Sequence, residues 1–282
     1  MKKLLLILLC LPMVVLAQKT YVPDDAFETY LENNAMGDGI ALNDSVFTSS
    51  IDTLTYLAIT GLNISNLNGI EAFIELTELY CEYNQLSSLD LSFNTNLEIL
   101  YCYENLLTNL KINNLNKLWR LWAEKNNLSS IDLSTNIDLQ QVDLYDNSFA
   151  YLDISNNINL KSLGCGGNQL TSIDLTNNYN LEELNCEGNY LNSLDATKLP
   201  KIDNLFCASN DISELDLSQC TEIEKLECSS NKLVCLNLRN GLWDASVDAT
   251  NNSQLNCIEV DSISYFNLDP FNSLNFDNNV TF

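Results

Sequence analysis

The sequence predicts a mainly β repeat solenoid, a right-handed coil carrying two short parallel sheets with a short helical cap at its N-terminal end. Three observations predict it. Leu76, Leu97, Leu118, Leu139, Leu160, Leu181, Ile202 and Ile223 share one column of a strict 21-residue period, over eight consecutive units without a gap. Each unit follows LxxLxCxxNxLxxLDLSxNxx, which is two near-copies of one half-motif, each closing on an asparagine turn. Apolar residues alternate within each half, as in Leu79-x-Cys81 and Leu89-x-Leu91, the signature of a strand with one buried face.

A period in this range with this spacing is the leucine-rich repeat signature. The pattern resembles the nested bacterial repeat class called IRREKO, over roughly residues 51–240. The resemblance implies a fold and an exported binding protein; it does not imply a ligand. One earlier coil, Leu54 to Leu67, precedes the regular units, and its "NGIEAFIEL" resembles the internalin form of the repeat. Upstream, "VPDDAFETYLENNA" places Phe27, Tyr30 and Leu31 at helical spacing after Pro23 and Asp24, which predicts a helix covering the open end of the core. Solenoid ends need such cover, because a bare terminal coil exposes apolar surface and strand edges. Downstream, Val247, Ala249 and Asn252 continue the columns of Leu226, Cys228 and Asn231, so one degenerate coil precedes a tail read as the other cap.

The expected organisation is a leader at 1–17, a cap at 18–50, the solenoid at 51–240, and a last coil with its cap at 241–282. Lys2 and Lys3, the apolar run Leu4–Leu16 and the Val15-Leu16-Ala17 ending make the leader a signal peptide cleaved before Gln18. The run is too short for a bilayer span of about 20 residues, so no membrane insertion is expected. Cys10 does not suit a lipid anchor, since Leu9 stands where a small residue is needed. Related exported proteins often continue into a sorting domain, and this chain leaves no room for one. The expected location is therefore secreted or extracellular surface-associated, with attachment the weaker of the two.

Composition excludes several functions. Without the leader's two lysines the chain carries 11 basic and 38 acidic residues, a formal charge of −27. Nucleic acid and anionic membranes are poor partners for such a surface. There is no histidine, which removes Ser-His-Asp and Cys-His machinery, imidazole zinc sites and ordinary imidazole acid–base chemistry. No enzyme activity, cofactor or metal is expected. A glycoside-cleaving carboxylate pair is disfavoured because a flat or convex repeat face offers no obvious pocket to raise one carboxyl.

Stacking turns each consensus position into a column of neighbours about 4.8 Å apart. The asparagine column from Asn84 to Asn231 is unbroken and suits amides that satisfy buried backbone groups at the turns. The cysteine column (Cys81, Cys102, Cys165, Cys186, Cys207, Cys228) continues through Ala123 and Leu144, so the slot asks for a modest apolar group. Buried free thiols are the first reading and cross-coil disulfides the second, since export permits oxidation. Cys235 and Cys257 align at positions held elsewhere by surface serines, either as a disulfide fastening the last coil or as two thiols. Cys220 sits in the second asparagine column with no evident partner. The aspartate column (Asp90, Asp132, Asp153, Asp174, Asp195, Asp216) is a candidate calcium ladder, with hydration or bonding to nearby Ser and Thr the simpler account.

The outward positions of the first strand carry the functional signal. Tyr80, Tyr101, Trp122, Tyr103 and Tyr145 form one expected aromatic patch interleaved with Glu82, Glu124 and Asp143. A bare floor of Gly164, Gly166, Gly167 and Gly188 adjoins it. Such a patch either shields the sheet or binds, as rings do in protein hot spots and sugar platforms. The acids favour a basic protein or peptide ligand, engaged by a monomer, with a glycan on the same rings as the alternative.

Overall fold

The computed structural model describes residues 17–241, 245–261 and 274–277. Nearly all of the leader and most of the expected C-terminal cap lie outside them. The chain forms a leucine-rich-repeat β-solenoid whose spine is an 11-stranded parallel sheet laid down in chain order, from Tyr56–Ala58 through Glu78–Tyr80, Ile99–Tyr101, Arg120–Trp122, Gln141–Asp143 and Ser162–Gly164 to Leu274–Asn275. The registers Leu79↔Leu100↔Leu121↔Val142↔Leu163 hold the 21-residue period in space. Each three-residue strand buries its central leucine or valine and turns the flanking residues outward. One stack of Leu, Ile, Val, Phe and Cys side chains fills the interior from Val22 to Ile258.

The second face is less regular than the expected second sheet. Strands pair only at Ser88–Asp90 with Asn109–Lys111, and at Glu214–Asp216, Cys235–Leu238 and Cys257–Val260. Between them, the coils carrying Asp132, Asp153, Asp174 and Asp195 make no strand pairing on this face. The pairings that form set Asp90 against Lys111 at 2.9 Å and Asp216 against Asn237 at 2.9 Å. Four of the five that fail would set aspartate on aspartate; in the fifth, Lys111 would face Asp132 but directs its ammonium to Asp90 instead. Like charges at strand spacing oppose a ladder that a neutral or opposite partner permits.

The single α-helix among the described residues, Asp25–Asn33, covers the first coil. Asp24 caps it, Oδ1 accepting from the Ala26 and Phe27 amides. Its other oxygen accepts from the Ser65 amide and hydroxyl and from the Asn66 amide, which ties helix to solenoid. Burial pushes the Asp24 carboxyl up, but these donors outweigh it and hold it below its usual value. Phe27 stacks on Phe73 at 6.1 Å, joining the helix to the core.

The turns are held by side chains. Each asparagine of the turn column, spaced by 21 residues from Asn84 to Asn252, lies inside the coil; Asn147, for example, donates to the Leu144 carbonyl and to Ala123 one coil back, while its Oδ1 accepts from the Leu128 amide at 2.9 Å. The residue before that asparagine is left-handed in every regular coil: Tyr83, Glu104, Lys125, Asp146, Gly167, Gly188, Ser209 and Ser230, with φ of 50–63°. Gly167 and Gly188 therefore belong to the turns and not to a floor, which corrects that part of the sequence reading. Asn94, Asn136, Asn157 and Asn178 form a second buried column whose amides reach two carbonyls each while their Oδ1 atoms have no partner. Cys220 takes that slot in its coil, its thiol donating to the Ala196 carbonyl at 3.3 Å, so it has the partner the sequence did not reveal.

Candidate functional site

The first-sheet strands place Tyr80, Tyr101 and Trp122 in one outward column, and their rings stack along it. Tyr56 meets Tyr80 at 5.5 Å, Tyr80 meets Tyr101 edge-on at 4.9 Å, and Tyr101 lies parallel to Trp122 at 4.3 Å. Tyr80, Tyr101 and Trp122 are packed to half-burial while Tyr56 stays exposed at the end of the row, so the inner three form a consolidated surface and not a row of free side chains. Tyr103 joins it from the next column, 6.4 Å from Tyr101 and 6.5 Å from Trp122, with Tyr83 edge-on behind it. Tyr56 and Tyr83 extend the patch beyond the rings picked out by the repeat; Tyr56 belongs to the irregular first coil and Tyr83 to a turn, which hid them from column reading.

Polar partners fix the rings. The Tyr80 hydroxyl donates to Glu78 at 2.8 Å, and Arg120 donates to the Tyr101 hydroxyl at 3.0 Å while its guanidinium lies 4.5 Å over Trp119. Burial pushes the phenols of Tyr80 and Tyr103 up to about 12, with Glu78 and Glu82 respectively adding to it. Both stay protonated across the physiological range.

The acids are more enclosed than expected. Glu82, expected outward and free, is buried; Oε1 accepts from Thr60 at 2.8 Å and Oε2 has no partner. Glu124 likewise has a buried Oε2 without a partner, and burial pushes its carboxyl up to about 7, with Asp143 contributing. In their column Glu82 and Glu124 alternate with Tyr103 and Tyr145, so no two acids are adjacent.

Past Trp122 the column changes character. Asp143 accepts from the Tyr145 amide at 2.9 Å and folds over Gly164, where a Cβ would meet Asp143 Oδ1 at 2.6 Å. Tyr145 lies over Gly166, where a Cβ would meet its ring at 2.8 Å, and its hydroxyl reaches Glu187 two coils on at 3.3 Å. The glycines are thus covered by Asp143 and Tyr145 and are not a bare floor. Beside them opens a cavity of about 330 Å³ lined by Trp122, Asp143, Tyr145, Ser162, Glu183 and Asn185 among others. Burial, reinforced by Glu183, holds the Asp143 carboxyl above its usual value. The face therefore has both a pocket and raised carboxyls, and the ground on which glycoside cleavage was set aside does not hold.

Elsewhere, the cysteine column is buried and unbridged, and burial drives its thiols up, to about 12 at Cys186 and Cys228. Cys235 and Cys257 form a disulfide across adjacent strands, with Cα atoms 4.6 Å apart. On the second face, Asp90, Asp132, Asp153, Asp174 and Asp216 accept from amides two residues on, as Asp132 does from Ser134 at 3.0 Å, Asp195 accepts from the Thr197 hydroxyl, and the serine and threonine hydrogen bonds hold Asp132, Asp153 and Asp174 below the usual carboxylate value. Two clusters of metal-type ligands occur among the described residues. One includes the bridged Cys235 and Cys257; in the other, Glu28 is occupied by the amides of Asn43 and Asp44.

No family model matches the chain. A segment of 75 residues is 35% identical to Internalin J of Listeria monocytogenes, spanning 27% of this chain and 8% of that protein. In structure, the chain is similar to a leucine-rich repeat protein of Leptospira interrogans, with a TM-score of 0.57, 21% identity and coverage of 68% of this chain and 62% of the other. It is also similar to YopM, a leucine-rich effector of Yersinia pestis, with a TM-score of 0.53, 22% identity and coverage of 68% and 55%. The fold is thus that of leucine-rich repeat proteins, with one stretch whose sequence is similar to an internalin.

Proposed function

We propose that this is an exported, non-enzymatic binding protein that takes a basic protein or peptide on the aromatic and acidic face of its first sheet. The stack Tyr56–Tyr80–Tyr101–Trp122 ending at an acid-lined cavity carries this reading. Rings already ordered by mutual packing lose little entropy on binding and offer wide contact area. A formal charge of −27 after removal of the leader would draw a cationic partner toward this face. Partner residues would be Tyr80, Glu82, Tyr101, Tyr103, Trp122, Glu124, Asp143 and Tyr145, with the buried Glu82 acting from beneath the rings. Asp143 is tied down by the Tyr145 amide, which suits a fixed charge better than a carboxyl that must reach a scissile bond.

A glycan reading has one observation of its own: Gln141, Ser162 and Asn185 line the cavity beside Trp122 and could meet sugar hydroxyls. The test captures partners from the surrounding cells or matrix with wild type beside a Tyr101→Ala, Trp122→Ala double variant of checked fold. The expected result is a protein retained by wild type, released by salt and lost in the variant. Binding to a polysaccharide array that disappears in Trp122→Ala, with no protein captured, would replace this reading with the glycan one.

A further inference from the structure

The ring column stops at Trp122, and the next two rungs are Asp143 and Gly164. Tyr101 covers one face of the Trp122 indole at 4.3 Å and 9°. The cavity of about 330 Å³ beyond Trp122 sits at the lower edge of the roughly 300–1,000 Å³ that small-molecule pockets occupy. It is sized for one side chain.

Its walls select the charge of that side chain. Asp143 and Glu183 supply carboxylates, both outside the ion pairs formed by the described residues. Arg120, paired in the sheet with Gln141 of the cavity wall, is engaged by the Tyr101 hydroxyl and the Trp119 ring at 4.5 Å, and stands farther from the Trp122 ring, at 5.7 Å. Residue 164 must be glycine for Asp143 to hold its position, since any Cβ would collide with that carboxylate. Asp143 thereby holds its carboxylate over the glycine, and the cavity beside it lies between an indole and two acids.

We propose that this cavity is a socket for an arginine side chain of the bound peptide, its guanidinium continuing the ring stack on Trp122 and pairing with Asp143 and Glu183. A planar guanidinium satisfies both demands at once; an ammonium answers only the charge and a neutral ring only the stack. The proposal rests on the peptide-binding reading and narrows it to one anchor residue.

The experiment is an amide and indole NMR titration of the whole leaderless protein with the capped tripeptide acetyl-Gly-Arg-Gly-amide, beside its citrulline and lysine counterparts. Expected are saturable shifts at the Trp122 indole N–H and the Gly164 amide, with arginine binding at least tenfold more tightly than neutral citrulline and more tightly than lysine. Asp143→Asn keeps the oxygen that accepts from the Tyr145 amide and should weaken arginine binding tenfold without lowering the melting temperature. Gly164→Ala should abolish it by displacing the carboxylate, and Glu183→Gln, on an exposed side chain, gives a second test independent of folding. Equal shifts by citrulline, an unmoved Gly164 amide, or an Asp143→Asn variant that binds as wild type would each overturn the socket. So would a neutral disaccharide that moves these signals while the arginine peptide does not. If the socket fails yet captured protein is still lost in the Tyr101→Ala, Trp122→Ala variant, peptide binding by the face stands without an arginine anchor; if both fail, the face reading falls with it.

Discussion

The two faces of the coil are built from the same half-motif, yet the first is a continuous sheet and the second is broken over four coils. Their columns differ in charge. On the first face, rings stack on rings and acids alternate with tyrosines, and the neighbouring acids Glu227 and Asp248 are relieved by Lys225, 2.7 Å from Glu227. On the second, five aspartates, Asp132 to Asp216, fall on consecutive rungs, and the strand pairing lapses between them. A solenoid's interior is set by the apolar columns, but its hydrogen-bonded edges are set by what the outward columns can tolerate at strand spacing.

The sharpest way to separate the faces is through their asparagines. Asn147 makes bonds through both ends of its amide, whereas Asn157 uses only its Nδ2. Asn147→Ala should therefore destabilise by about 3 kcal/mol or more, and Asn157→Ala by roughly 1–2 kcal/mol, both read by chemical denaturation. Equal losses would mean that the two turns are held alike. Breaking the Cys235–Cys257 bridge, by reduction or Cys257→Ser, should cost about 3 kcal/mol and expose the last coils of the second face to exchange first.

A smaller effect runs the other way. Asp153→Asn should stabilise by up to about 1 kcal/mol and slow amide exchange in the middle coils, because it removes a charge flanked by Asp132 and Asp174. No change in exchange would detach the broken pairing from charge. On the first face, Glu124 titrates near 7 instead of its ordinary 4.5, so the native state holds a proton that the unfolded chain has lost between those values. Stability must fall as pH rises through that window. Glu124→Gln should gain on wild type as pH goes from about 5 to about 8, reaching about 1 kcal/mol, or roughly 2–4 °C in Tm. A constant gap across that range would place Glu124 outside the buried set.

Much of this was legible in the sequence because a strict period fixes register: once Leu79 and Leu100 share a column, so do Tyr80 and Tyr101. The apolar slot read from Ala123 and Leu144 places the cysteines in the core, where they lie. What escaped depends on side chains crossing between columns or rungs. Gly164 and Gly166 read as empty positions until Asp143 and Tyr145 are seen leaning over them, and both of these side chains line the cavity. The left-handed position before each asparagine was hidden because tyrosine, glutamate, lysine and serine all occupy it, leaving Gly167 and Gly188 looking like floor. Motif reading also treats every LDLS half as a strand; the repulsion between stacked aspartates is legible from the period, but its cost to strand pairing is not.

The most direct test of the central claim, that recognition belongs to the first face, is hydrogen exchange of the protein with and without its captured partner. Protection is predicted in 78–82, 99–103, 120–124 and 141–145, with 130–134, 151–155 and 172–176 unchanged. Protection confined to the second-face segments, or none in the first, would contradict the account.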